Sequence, residues 1–340
     1  MKKFLIIQTA FIGDVVLSTA VAEKLHQFYP DAAIDFMLRK GNEPLLEDHP
    51  YIRNILIWNK KVEKYSGLFR LLKTVRKEKY DLVVNMQRFF ATGFLTAFSG
   101  AGQTSGFDKN PFSFLFTKKI HHLISTPGQS FHEVDRNQML IAHITDNVAA
   151  KPKLYPNAAA VDAVVTFKDK PYICIAPASV WFTKQYPKEK WISFLRALPR
   201  SLNVYIIGAP SDTLLTEEII SQVEEDNIMN LCGKLSLLQS VALQRDAKMN
   251  YVNDSGPMHF ASAVNAPVTA IYCSTVPSFG FGPLSDHRFI VETPVPLDCR
   301  PCGLHGWPAC PLGHFNCAYN IKDEQLLRSI TDYGLRITDS

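Results

Sequence analysis

The apolar residues of this chain fall into short uninterrupted runs separated by stretches with the spacing of amphipathic helices. KKFLIIQ, AAIDFML, RNILIWN and YDLVVNM in the first half read as buried strands, as do YICIAPAS, NVYIIGAPS, MNYVNDSG and APVTAIYCS in the second. Helices are predicted between them, in the second half beginning near Pro187, Thr213, Leu237 and Met258. Strands that alternate with helices in this way predict parallel sheets with crossover connections. The rhythm runs twice, and the prolines, lysines and small residues of 150–170 suit a linker between the two runs. Residues 99–131, rich in Gly, Ser and Phe, read as a loop that carries aromatic rings beside Lys109, Lys118 and Lys119. That loop is either a functional flap or a segment packed on its own domain. Residues 322–334 predict a terminal amphipathic helix.

At 340 residues the chain exceeds one ordinary core and suits two domains of roughly 150 residues each. Its 46% hydrophobic and 20% charged residues exclude large-scale disorder. A net charge of +4 argues against a general nucleic-acid binder, while leaving local basic patches to meet an anionic substrate. No apolar run is long enough to span a bilayer. The opening lysines and apolar run have a superficial look of a signal peptide. Gln8 and the direct passage into a helix instead predict a first buried strand and a cytoplasmic protein. Cys174, Cys232 and Cys273 sit in strand-like contexts as small core residues, and the odd total of seven cysteines suits a reducing compartment.

Candidate chemistry collects where strands end. After Ile7 a short loop leads to Gly13, expected to permit a close turn, and to Asp14 at the start of a helix whose apolar face includes Val16, Ala20 and Leu25. Asp14 is either a helix cap, worth about 1 kcal/mol, or a carboxylate at the sheet edge where open α/β proteins bind ligands. The dinucleotide fingerprint G-x-G-x-x-G is absent there, which disfavours a dehydrogenase. CIAPASVWFTKQYPKEKW sets Ala178, Ser179 and Lys184 between a strand and a helix, a composition that suits a diphosphate cradle. NDSGPMHFASA places Asp254, Ser255 and Gly256 in a tight turn and His259 in the first turn of the next helix. The alternatives are a site for phosphate and ribose oxygens, or an Asp cap beside a His bonded to the backbone. The coincidence of turn, cap and His at one strand end favours the site.

Residues 299–317, CRPCGLHGWPACPLGHFNC, gather Cys299, Cys302, Cys310 and Cys317 with His305 and His314. The spacing C-x2-C-x7-C-x6-C admits a structural zinc, one or two disulfides, or reduced thiols packed in a loop. All three structural readings are favoured over a catalytic metal.

Taken in order, GDVVLSTA, a mid-chain strand followed by x-x-x-K-x-Y/W-P, and NDSGPMHFASA resemble glycosyltransferase family nine, which contains the ADP-heptose:lipopolysaccharide heptosyltransferases. The resemblance covers nearly the whole chain. It implies an α/β GT-B fold, with two Rossmann-like parallel-sheet domains facing a central cleft. The acceptor-binding domain would span 1–160 and the nucleotide-sugar-binding domain 161–321, with a helix in 322–340 packing back on the N-terminal domain. By the same resemblance Asp14 matches the family's catalytic base, Lys184 the lysine on the donor diphosphate, and Asp254, Ser255, Gly256 and His259 the donor-binding turn. Ser179 and Asp212 join the donor side, the latter at the ribose. Gly13 and Arg88 join the acceptor side. VWFT at 180–183 departs from a more polar stretch in the better-known heptosyltransferases.

The implied activity is inverting transfer of a heptose from ADP-heptose to the lipopolysaccharide inner core. Asp14 takes the proton of the attacking hydroxyl, while Lys184 and the N–H groups near Gly256 stabilise the departing diphosphate. No Asp-x-Asp pair occurs, so catalysis is expected to need no metal or other cofactor. An anionic lipid-linked saccharide as acceptor makes Lys60, Lys61, Lys64, Arg88, Lys118 and Lys119 its candidate partners. It also implies peripheral contact with the inner face of the inner membrane of a Gram-negative envelope, through the aromatic loop 107–116. The rival readings are a GT-B-like enzyme using a different nucleotide sugar and a nucleotide-sugar-binding protein without catalysis. A nucleic-acid module around 299–317 is disfavoured, because basic and aromatic residues do not concentrate there.

Overall fold

The computed structural model describes residues 1–63, 65–124 and 130–334, so Lys64 and the end of the expected terminal segment lie outside the described residues. The chain divides into two units, Met1–Tyr155 and Pro156–Ser340. The division falls after Tyr155, where sequence placed it after residue 160.

The first unit runs β1 (Lys3–Ile7), α1 (Ile12–Phe28), β2 (Ala33–Arg39), β3 (Ile52–Trp58), α2 (Ser66–Glu78), β4 (Leu82–Asn85), α3 (Phe90–Ala97), β5 (Gln103–Phe107), β6 (Lys118–Ile120) and α4 (Glu133–Met139). Its six strands form one parallel sheet in the order β3-β2-β1-β4-β5-β6. Central β1 is apolar from Phe4 to Ile7 and buried throughout, as a parallel strand covered on both faces requires. Helix α1 is buried all round from Val15 to Leu25, because α4 packs on it as well. The enclosed Glu23 is held by the Tyr155 hydroxyl at 2.9 Å and by Lys153 at 3.7 Å.

Two strands lie within the stretch expected to be loop. β5 has no apolar run, and its Gly106 is required by packing: a Cβ there would sit 2.5 Å from the Phe116 ring. β6 is a short edge strand with exposed Lys118 and Lys119, a composition that discourages further strand pairing.

The second unit runs α5 (Ala158–Asp162), β7 (Tyr172–Ala176), α6 (Lys188–Arg196), β8 (Asn203–Ile206), α7 (Thr213–Val223), β9 (Ile228–Asn230), α8 (Leu237–Asp246), β10 (Asn250–Asn253), α9 (Gly256–Ala263), β11 (Val268–Tyr272), β12 (Arg288–Glu292), α10 (Asn316–Tyr319) and α11 (Asp323–Asp332). Its parallel sheet, β12-β11-β10-β7-β8-β9, has the same order as the first when strands are counted from β7. Both sheets therefore reverse direction beside their first strand, between β1 and β4 and between β7 and β10. That switch point opens a crevice at the C-terminal strand ends, where ligands of such sheets bind.

The core under α6 is aromatic: Tyr186 packs edge-on against Trp191 at 5.2 Å, and Phe194 lies 4.7 Å from Tyr251. Helix α11 completes this core with buried Leu326 and Ile330, and the Leu326 carbonyl accepts from the Tyr251 hydroxyl at 3.0 Å. The terminal helix thus belongs to the second unit, where sequence had placed it on the first. Its buried face matches that side because Ser329 also accepts from Thr269 at 2.7 Å.

Gly106→Ala tests the β5 packing. It should lower the unfolding free energy by about 1–3 kcal/mol, the usual cost of overpacking a core, read as a lower urea midpoint at unchanged slope.

Candidate functional site

In the first unit the β1–α1 loop is fixed from several sides. The Lys60 ammonium donates to the Thr9 carbonyl at 3.0 Å and the Thr9 hydroxyl at 2.9 Å, and Asn42 donates to the Ala10 carbonyl at 3.1 Å. Gln8 accepts from Gln87 on the neighbouring β4 loop. Arg39 lies 5.0 Å from the centre of the Phe11 ring. Burial, aided by the positive charge of Arg39, pushes the Lys60 ammonium down to about 8.

Gly13 has helical backbone inside the first turn of α1, so the close turn expected of it is absent. Asp14 is the third residue of α1 and Phe11 holds the cap position. Desolvation first, then the nearby Glu133 carboxylate, push the Asp14 carboxyl up to about 6, partly opposed by the backbone N–H groups of Phe11 and Asp14 and by Arg39. Glu133 is buried and is held by Arg136 at 2.7–2.8 Å. A carboxyl that titrates near neutrality at a strand end is suited to accept a proton. Arg88 is exposed on the loop after β4, at the same sheet edge as Asp14.

In the second unit the two strand ends beside the switch point are bolted together. The Asn253 side chain donates to the Pro177 carbonyl at 2.7 Å and accepts from the Tyr186 N–H at 3.0 Å. This fixes the β7–α6 loop, which carries Ser179 and Lys184, against the end of β10. The Lys184 ammonium lies 2.6 Å from Asp254 Oδ2, an oxygen that also accepts from the Thr275 hydroxyl at 2.7 Å. Lys184 and Asp254 are both largely shielded, with side chains 15% and 10% exposed. Ser255 caps α9 by position, with its hydroxyl donating to the Asn253 carbonyl at 3.3 Å, and Gly256 is the first helical residue. His259 is buried in the same helix. Ser179 is half-buried, and its carbonyl accepts from Gln185 at 2.7 Å. Asp212 stands after neighbouring β8 and accepts from the Ala209 N–H at 2.8 Å and the Ser211 hydroxyl at 3.1 Å, which closes its own turn.

The cysteine-rich loop braces this region. Buried Thr183 accepts at its hydroxyl from the Trp307 N–H at 2.8 Å, and its N–H donates to the Trp307 carbonyl at 3.1 Å. A Cβ on Gly306 would come within 2.9 Å of the Thr183 hydroxyl and 3.1 Å of the Lys184 side chain. Arg300 donates to the carbonyls of Tyr272, Cys273 and Thr275. All seven cysteines are free thiols, so the disulfide alternative does not describe this loop. Burial, then the proximity of Cys302, pushes the Cys317 thiol up to about 11. Among the described residues no group of three or more His, Cys, Asp or Glu side chains is placed to hold a metal. Cys299, Cys302 and Cys310 nonetheless lie near enough to Cys317 to help push its thiol up.

Residues 68–303 match the family model described as Glycosyltransferase family 9 (heptosyltransferase). The chain belongs to glycosyltransferase family 9. It is 28% identical over 279 residues to lipopolysaccharide heptosyltransferase 3 of Escherichia coli, covering 78% of this chain and 82% of the relative. In fold it is similar to E. coli ADP-heptose lps heptosyltransferase II, with a TM-score of 0.79, 20% identity and 98% of each chain covered. It is similar also to E. coli heptosyltransferase WaaC with ADP, with a TM-score of 0.73, 18% identity, and coverage of 98% of this chain and 100% of that one. This family 9 enzyme thus has the GT-B-like α/β fold, built on two six-stranded parallel sheets. The matched residues include Lys184 and Asp254 but begin after Asp14.

The raised Asp14 carboxyl has a consequence for stability. Between its ordinary value of 3.8 and about 6 the folded chain binds more protons than the unfolded one, so this group's contribution to stability falls as pH rises through that window. Asp14→Asn should therefore stabilise the protein at alkaline pH by on the order of 1–2 kcal/mol at this half-buried site. The gain should shrink as pH falls through that window and disappear by about pH 3, below both values, where the wild-type carboxyl is protonated in both states. Urea midpoints of the two proteins across that range check it.

Proposed function

We propose that this enzyme transfers a heptose from ADP-heptose to the inner core of a lipopolysaccharide, with inversion at the anomeric carbon and without a catalytic metal. One observation carries the reading: the Lys184 ammonium, held 2.6 Å from Asp254 at the switch point of the second sheet. An ammonium has three donors, of which the pair with Asp254 uses one. The others suit the oxygens of a nucleoside diphosphate, and the first-turn N–H groups of α9 after Ser255 add a favourable field for its charge. Ser179 is a further donor for the diphosphate and His259 a further donor-side residue. The names of the relatives, lipopolysaccharide heptosyltransferase 3 and heptosyltransferase WaaC with ADP, support heptose as the sugar, ADP as the carrier and a lipopolysaccharide acceptor.

In the proposed reaction an acceptor hydroxyl attacks the anomeric carbon. A C–O bond forms there as the bond to the diphosphate oxygen breaks. The hydroxyl proton passes to Asp14, and the electron pair departs on ADP, whose added negative charge Lys184 offsets. Lys184 supplies the charge that a divalent cation supplies elsewhere, and the chain has no Asp-x-Asp pair to hold such a cation. Asp212 serves the donor ribose in this reading only by giving up a bond within its own turn. Arg88 and Lys60 meet the anionic acceptor, and the enzyme works at the cytoplasmic face of the inner membrane.

Asp14→Asn should lower turnover with ADP-heptose and lipopolysaccharide acceptor by about 100-fold or more, the usual worth of a general base, with ADP affinity within a factor of about two. Wild-type turnover should persist in excess EDTA. Coupled ADP-release and ADP-binding measurements check both, and unchanged turnover of the Asn variant would reject Asp14 as the base.

A further inference from the structure

The first unit carries a connected aromatic surface that the reaction does not use. Phe69 of α2 meets Phe94 of α3 at 6.0 Å, Phe94 meets Phe98 at 4.9 Å, and Phe112 lies against Phe90 at 4.9 Å and Phe94 at 6.0 Å. Despite these contacts the rings are not enclosed: Phe69 is 60% exposed and Phe90 64%, and on the turn that carries Phe112 the neighbouring Phe114 and Leu115 are 74% and 48% exposed. Leaving such a continuous set of large apolar side chains in water is costly for a soluble domain unless something covers it.

The surface is also preorganised. The buried Asn110 side chain donates to the Gln87 carbonyl at 2.8 Å and the Phe89 carbonyl at 3.1 Å, and accepts from the Phe112 N–H at 2.9 Å. A Cβ at Gly93 would overlap the Asn110 amide, so α3 and the Phe112–Leu115 turn are locked to each other.

Charge identifies the occupant. From Arg88 to Lys119 the basic residues are Arg88, Lys109, Lys118 and Lys119, all exposed, and the sole carboxylate, Asp108, is engaged by His121. Aromatic and aliphatic side chains bordered by uncompensated lysines match the surface of an anionic bilayer, into which the apolar side chains insert while the lysines meet headgroups. The Phe112–Leu115 turn and the starts of α2 and α3 follow the C-terminal ends of β5, β3 and β4, the same sheet edge that bears Asp14.

We propose that Phe69, Phe90, Phe94, Phe112, Phe114 and Leu115, with Lys109, Lys118 and Lys119, form a docking face for an anionic lipid bilayer. It extends the reading of a lipid-linked acceptor by naming the surface that meets the lipid, and it turns the base-bearing sheet edge toward that membrane.

The test is co-sedimentation of the full chain with vesicles of phosphatidylcholine alone and of phosphatidylcholine mixed equally with phosphatidylglycerol. The wild type should bind the anionic vesicles and much less the neutral ones. Phe114→Ser with Leu115→Ser should weaken binding at least tenfold, consistent with two lost apolar insertions. Lys118→Glu with Lys119→Glu should weaken it at least tenfold on anionic vesicles, since each lysine near such a surface is worth about fivefold. Unchanged melting temperatures show that the variants fold. Wild type that stays in the supernatant, or both variants bound as tightly as wild type, overturns the proposal. So does concentration-dependent self-association without lipid that the Ser variant abolishes, because the face would then join two copies. Transfer to a de-acylated, water-soluble acceptor is measured alongside. Its absence would count against the heptosyl-transfer reading and leave the vesicle result standing.

Discussion

The ion pair between Lys184 and Asp254 is the contact on which the second unit's site depends. A largely shielded ammonium and carboxylate 2.6 Å apart each relieve the other's desolvation, so removal of one partner leaves the other as an uncompensated charge. The pair is not free to drift. Thr275 holds the carboxylate oxygen, Asn253 fixes the loop that carries the lysine, and Thr183 ties that loop to Trp307. The outcome is a cation of fixed position that need not pay the full cost of ordering a long side chain when a diphosphate arrives.

The same construction principle explains where both candidate sites lie. Each sheet has strand order 3-2-1-4-5-6 in its own count, and in each the central candidate residues follow the first and fourth strands. In the first unit Asp14 lies in the first turn of the helix after the first strand and Arg88 on the loop after the fourth; in the second Lys184 and Asp254 follow the corresponding strands. The environments then diverge. Asp14 sits near another carboxylate in a desolvated place and is held toward neutrality, whereas Asp254 has an ammonium and a hydroxyl as partners. One aspartate is thereby suited to take up a proton and the other to position a cation.

The strands built from Val, Ile and Leu were legible in the sequence, since burial on both faces demands continuous apolar runs. β5, β6, β9 and β12 were not. QTSGF is shaped by the close approach of Phe116, and KKI and IMN are three-residue strands at sheet edges. RFIVE is an outer strand with exposed residues. Among candidate residues, Asp14, Lys184 and Asp254 could be found because each follows a recognisable strand. Asn253 and Thr275 were missed because their roles are hydrogen bonds between segments distant in sequence, 67 residues apart for Asn253 and Tyr186. Glu133 was missed likewise: its influence on Asp14 follows from the packing of α4 on α1. The terminal helix was misplaced because its amphipathic pattern shows that one face is buried without showing what covers it.

The most direct test of the central claim is a calorimetric titration of ADP into wild type, Lys184→Met, Asp254→Asn and the double variant, each confirmed folded. If the pair positions the ammonium for the diphosphate, both single changes should weaken ADP binding at least tenfold. The double variant should then bind about as weakly as Lys184→Met alone, leaving a coupling above about 1 kcal/mol. ADP affinity unchanged in either single variant, or losses that simply add in the double, would contradict the account.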